Sequence, residues 1–126
     1  MAIQQERFTE NFKVTAATGS SYVIGYSSAN DTVARATGTT VMPIGVIENS
    51  PTSSADTARV CTAGATKVHA GTSAIAIGDW LKADARGYAV ADALGSTGPK
   101  LGVSKQTNTV DGELIEIEVR PMHATA

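Results

Sequence analysis

Covalent or metal chemistry in this chain would have to come from two histidines, one cysteine and a scatter of carboxylates. Nucleophilic catalysis needs a nucleophile, a base within reach and a group that orients the base; a metal site needs three or four ligands at compatible spacing. His69 follows Val68 on a short apolar stretch with no acid within several residues, and His123 comes two positions after Pro121. Neither stands in an HExxH pattern or a paired His/Cys arrangement, so both read as surface or hydrogen-bonded structural histidines. Cys61 is the lone cysteine, which excludes an intrachain disulfide and leaves a structural zinc without its usual thiolates; it reads as a small buried strand residue. Asp31, Asp84 and Asp111 fall in turn sequences, where a short carboxylate bonds the local backbone. Glu116 and Glu118 alternate with Ile115 and Ile117, as the solvated face of a strand does. An acid/base pair of Asp79 and Asp84 would need tertiary convergence, and Gly64-Ala65-Thr66-Lys67 lacks the rest of a phosphate-binding loop. No cofactor, no metal and no catalytic residue is expected, and an enzymatic role would need groups supplied by a partner chain.

The elements that position these residues are short strands. Stretches 22–64 and 80–121 follow one plan: an aromatic-apolar opening, a small polar turn, an Ala/Val run, an apolar-Gly-Val triplet (Ile44-Gly45-Val46, then Leu101-Gly102-Val103), an acid-bearing polar loop and an alternating closing strand. Tyr22 maps to Trp80 and Gly45 to Gly102, offsets of 58 and 57. Such self-similarity fixes architecture before any motif is weighed. Strands are expected over 11–17, 22–26, 32–36, 43–48, 57–62, 66–70, 80–83, 88–91, 99–105 and 113–120, with 57–62 and 66–70 forming a hairpin around Gly64 and Asp84-Ala85-Arg86-Gly87 a tight turn. Ile75 and Ile77 are placed at the end of a barrel, and the loops 49–54 and 106–112 at related ends of the molecule. The fold class is all-β: a small β-barrel or sandwich built from two similar halves, with an extended N-terminal arm. Gly45 and Gly102, each inside an apolar strand, mark bulges or close approaches of backbone.

The domain plan is an arm over 1–11, one β-domain over 12–121 and a tail over 122–126. Both phenylalanines of the chain, Phe8 and Phe12, lie in the arm or at its junction with the domain. They read as apolar anchors that dock on the arm's own domain or on a neighbouring subunit. Only 5% of the 126 residues are aromatic, and small side chains bury little area each, so the core is thin and assembly would add to stability. The formal charge is −2 with Lys and Arg spread singly, which speaks against direct nucleic-acid binding. No apolar run approaches the roughly 20 residues of a membrane helix, and the acidic, polar N-terminal stretch lacks the apolar core of a secretory signal.

Taken in order, these residues resemble a known family. Asn11-Phe12-Lys13, the mid-chain apolar-Gly-Val triplet, the spacing of Gly78, Asp79, Leu81, Asp84, Gly87 and Ala89, the second Gly-Val, and then Asp111-Gly112-Glu113 with Ile115 and Glu116 are similar to the capsid cement, or head decoration, proteins of tailed bacteriophages. The likeness spans about residues 11–121; the N-terminal arm and the Ser/Thr-rich 49–54 loop depart from the simplest members. It implies a structural virion protein, made in the host cytoplasm and bound to the outer surface of the mature head. Its partners would be the major capsid protein, whose subunits it bridges, and itself, as a homotrimer or a dimer. Phe8 and Phe12 are the capsid contacts expected on this reading. The alternative is a small β-barrel binding module for a carbohydrate or host-surface ligand. Such a module presents exposed aromatics, and outside the arm the chain has only Trp80, Tyr22, Tyr26 and Tyr88.

Overall fold

Short apolar-polar alternations broken by Gly, Asn and Asp make strands, and the computed structural model, which describes residues 7–38, 41–92 and 98–124, has nine of them among the described residues. They are β1 (Phe8–Lys13), β2 (Val23–Ala29), β3 (Thr32–Arg35), β4 (Pro43–Ile47), β5 (Thr57–His69), β6 (Trp80–Ala83), β7 (Ala89–Asp92), β8 (Gly98–Ser104) and β9 (Leu114–Ala124). The fold is all-β. The ladder β1-β3-β2-β4-β5 closes on itself because β1 also pairs antiparallel with β5, giving a five-stranded barrel. The order continues β5-β9-β8-β6-β7 outside it. β5 serves both halves: its first part pairs with β1 and β4, and its second part, from Gly64 to His69, pairs with β9.

Several bonds of the two halves match at a spacing of 57 positions, while β1 runs one residue out of that step: Asn11 pairs with Arg59 where Lys67 pairs with Glu116. The parallel bridge Lys13↔Thr32 that closes the first barrel has its counterpart in Ala70↔Ala89, which brings the second ladder round to the end of β5. Glu48 N donates to Arg59 O as Lys105 N does to Glu116 O, at 2.8 and 2.9 Å. The N–H groups of Arg59 and Glu116 are capped by the side-chain oxygens of Asn49 and Gln106. Loop bonds match as well: Thr18 N to Pro51 O with Ile75 N to Asn108 O, and Asp56 N to Ser53 O with Glu113 N to Val110 O. β1 is therefore the counterpart of the second part of β5. The repeat reaches upstream of residue 22 and includes the segment assigned to an arm.

Two glycines sit at matching places in this scheme. A Cβ added at Gly45 would fall 2.0 Å from the carbonyl oxygen of Cys61, and one at Gly102 would fall 2.0 Å from that of Glu118. Any side chain there would push β4 from β5, or β8 from β9, so the apolar-Gly-Val triplets are close-approach points. The core lies in two clusters. Val14, Val23, Val33, Ile47, Ala58 and Val60 form one, with Phe12 packed against it. The larger gathers Ile24, Val46 and Cys61 from the first half with Val68, Leu81, Leu101, Ile115 and Ile117. Fully burying each such aliphatic side chain is worth about 1.5–3 kcal/mol, set against the ordering entropy of the chain.

Several local expectations change. The first strand begins at Phe8 rather than residue 11 and ends at Lys13, because residues 8–11 take their hydrogen-bond partners from β5. The expected hairpin around Gly64 is one 13-residue strand. Gly64 has φ +95°, and strands on its two sides meet different partners, so the glycine redirects the strand without reversing it. β9 runs through Pro121 to Ala124, into the segment read as a tail. Pro121 falls where the β8–β9 register shifts, a place that asks no ladder bond of its missing N–H. Ile75 is buried and bridged to Asn108, whereas Ile77 is 69% exposed.

Candidate functional site

The groups with chemical potential are each held by local structure. Asp84 accepts from the backbone N–H groups of Arg86 and Tyr88 at 2.8 and 3.0 Å, and Gly87 at φ +77° completes the turn. Asp79 caps the N–H of Ala76 at 2.9 Å. His69 places Nδ1 2.8 Å from Gly112 O, and its ring stacks on Tyr88 at 5.1 Å between centroids. Cys61 is fully buried, and that burial pushes its thiol above the ordinary range. Among the described residues no cluster of His, Cys, Asp and Glu could hold a metal ion. His123 lies in β9, and its side chain is outside the described residues.

Three assemblies of charged groups stand out, and none was visible as a sequence motif. At the joint between the halves, Arg86 lies 4.3 Å over the Tyr88 ring, with Arg35 5.6 Å from the same centroid. Arg86 donates to Asp111 at 2.6 Å and to Asp84 at 3.1 Å. The hydrogen bond from Arg86 holds the Asp111 carboxyl below the usual carboxylate range, and the same bond raises the guanidinium further. The turn also docks on the first half: Ile24 N donates to Gly87 O at 2.8 Å, and Arg35 Nε donates to Arg86 O.

The second assembly surrounds Glu48, whose side chain is only 3% exposed. Its Oε2 accepts from Arg7 Nη2 and from Thr66 Oγ1 at 2.5 Å. Its Oε1 faces Arg59 Nε at 3.4 Å without a hydrogen bond. Arg7 also donates to Ala65 O at 3.1 Å, so the chain entering β1 is tied to the middle of β5. The third pairs buried Lys100 with Asp92 at 2.5 Å, with Lys82 3.6 Å from the same carboxylate. Buried pairs of this kind add little net stability but penalise loss of one member.

The two phenylalanines part company. Phe12 is half-buried against the first core cluster, whereas Phe8 is 56% exposed at the start of β1, opposite Ala63. Beside it on β5 opens a shallow hollow of about 300 Å³, lined by Ala65, Thr66, Lys67, Lys105 and Glu116. Trp80, Tyr22, Tyr26 and Tyr88 are all partly buried. Tyr22 and Tyr26 pack on the larger core cluster, and Tyr88 on the smaller. They form no exposed stacking platform for a sugar. No helix of the described residues is long and apolar enough to cross a membrane.

Comparison with known proteins bears on the fold. No protein-family model matches the chain, and no curated protein does. Among solved structures, it is similar to one described as the crystal structure of head fiber gp8.5 N base in bacteriophage phi29, with 19% identity and a TM-score of 0.64. The similarity covers 91% of this chain and 95% of that one, so the two share a fold from nearly end to end.

Proposed function

We propose that the protein is a structural component of a phage virion and resides on the head. The observation that carries this is the near-complete fold similarity to the base of a phage head fiber, a comparison independent of the motif order that resembles head decoration proteins. Within that role the finer reading is a cement protein. It binds the outer surface of the mature shell, contacts major capsid subunits and bridges them, and it acts as a homo-oligomer.

The physical properties suit such a task. Bridging a lattice rests on multivalency, in which contacts weak one at a time become strong when engaged together. A chain with a thin core and turn-rich loops contributes through its surfaces. Phe12 anchors β1 to the barrel, which leaves Phe8 projecting where a neighbouring subunit can cover it. The test is co-sedimentation of the full chain with mature heads of the phage that encodes it, prepared without it. Saturable binding at a fixed number of copies per head supports the reading; recovery of all the protein in the supernatant rejects it.

A further inference from the structure

β7 is the last strand of the ladder. β6 holds one of its edges, and the bridge Ala70↔Ala89 and the Ser73 hydroxyl on Ala91 N hold the other. Its final residue, Asp92, meets Lys100 of β8 across β6, the strand that pairs with both. Lys100 Nζ lies 2.5 Å from Asp92 Oδ2, and the two side chains are only 4% and 6% exposed. Lys82 of β6 sets its Nζ 3.6 Å from the other carboxylate oxygen, Oδ1, with its side chain 33% exposed. Lysine is seldom buried to this depth even when paired. Here a buried amine touches a buried carboxyl group, and a second cation stands beside the oxygen that the amine does not touch. That is the arrangement an acyl transfer needs: a nucleophile, an electrophilic carbon and a positive charge at the place where an oxyanion would form.

We propose that Lys100 and Asp92 condense to an intramolecular isopeptide bond, a covalent staple between β7 and β8. Proton transfer along the hydrogen bond from Lys100 Nζ to Asp92 Oδ2 turns ammonium and carboxylate into amine and carboxylic acid, a neutral pair suited to a dry site. The Nζ lone pair attacks Cγ, one bond beyond the oxygen it already touches, and the carbonyl electrons move onto Oδ1. The Lys82 ammonium stabilises that oxyanion. As the carbonyl re-forms, the Cγ–Oδ2 bond breaks, and the Oδ2 hydroxyl takes a proton from Nζ and leaves as water. Amine plus acid gives amide plus water, with no change of oxidation state and no further reactant. Holding the two groups in contact supplies an effective concentration on the order of 10⁵–10⁸ M, and a site closed to water protects the amide from hydrolysis. The staple closes a ring over residues 92–100 and restricts the unfolded chain as a disulfide would. This inference stands apart from the head-binding reading, and its test contains no heads, so either can fail alone.

The test is the intact mass of the full chain, held folded for several days, followed by proteolysis and tandem mass spectrometry. The parent should fall short of its sequence mass by one water, and the digest should yield two peptides joined through Lys100 and Asp92. Lys100→Arg keeps the charge but cannot form the amide, so it should show its full calculated mass. Lys82→Gln should slow the loss of water by about 100-fold in timed samples from a cell-free translation, the effect of removing one oxyanion donor. Far-UV circular dichroism confirms folding of each variant, and the parent's mass decides the question even where a variant does not fold. Asp111-Gly112 could lose a water too, by closing to a succinimide, but hydroxylamine cleaves a succinimide and leaves an isopeptide bond intact. A parent at its full mass overturns the proposal, as does a water loss that maps to Asp111, runs through Lys82 or persists in Lys100→Arg. Water loss at the parent's rate in Lys82→Gln overturns the step as written.

Discussion

Gly45→Ala and Gly102→Ala test the duplicated architecture at its tightest points. An alanine Cβ at either position falls 2.0 Å from a carbonyl oxygen of the adjacent strand, and carbon that close to backbone cannot be relieved by a rotamer change. The strands must part by about 1 Å or more to reach ordinary contact. In the first half that movement disturbs the pairings Val46↔Cys61 and Ile47↔Val60 and the neighbouring Glu48–Arg59 backbone bond. Overpacking costs about 1–3 kcal/mol, and each weakened buried ladder bond adds about 1 kcal/mol, for a total of about 3–5 kcal/mol. At about 2.1 cal/mol/K per residue, a chain of this size loses about 4 °C of melting temperature per kcal/mol. Each substitution should lower Tm by about 12–20 °C, the two should agree within about 4 °C, and the double variant should be unfolded or nearly so. Gly38→Ala is the control: nothing lies within 4 Å of its added Cβ, and its Tm should stay within about 2 °C of the parent. A Gly45→Ala or Gly102→Ala protein melting within about 4 °C of the parent would refute the close-approach argument.

Three further outcomes follow from the charged groups and the thiol. Arg7→Ala should destabilise by about 1–3 kcal/mol in urea unfolding, more than an ordinary surface arginine, because it removes a charged hydrogen bond from the buried Glu48 carboxylate; a change under about 0.5 kcal/mol would contradict that role. Asp111→Asn should lower Tm slightly at neutral pH. The folded-state carboxyl titrates below its unfolded value, so its stabilisation is present above the unfolded pKa and is lost as pH falls through the folded one. The Tm gap between parent and variant should thus close at pH below the normal carboxylate range, and a gap that widens in acid would reverse the sign of the argument. Cys61 should resist a thiol reagent such as dithionitrobenzoate in the native protein and react fully in denaturant, since it is buried and its thiol is held protonated; rapid native labelling would show that the strands around it open.

The sequence revealed most of the body of the fold. Ile115, Ile117 and Val119 are buried while Glu116 and Arg120 are exposed, as strict alternation predicts for a strand with one face on the core. The Gly45 and Gly102 triplets were legible because glycine inside an apolar strand has few other uses. The place of β1 in the repeat was not legible, because its residues and those of the second part of β5 share a backbone role with little likeness of side chain. Thr9, Glu10, Asn11 and Phe12 stand where Ala65, Thr66, Lys67 and Val68 stand, one residue off the 57-position spacing that the rest of the repeat keeps, so neither charge nor fixed spacing betrays the match. The Glu48 cluster was hidden for another reason: Arg7, Glu48, Arg59 and Thr66 come from separate segments and converge only once the barrel closes. Gly64 misled because a glycine between two strand patterns signals a turn, while here it lets one long strand change partners.

The most direct measurement of the central claim is an image reconstruction of mature heads with and without the protein added back. Added density on the outer surface, spanning adjacent major capsid subunits and fitted by the nine-stranded fold, is the expected result. Heads whose outer surface is unchanged, with the protein wholly unbound or bound elsewhere on the virion, would contradict it.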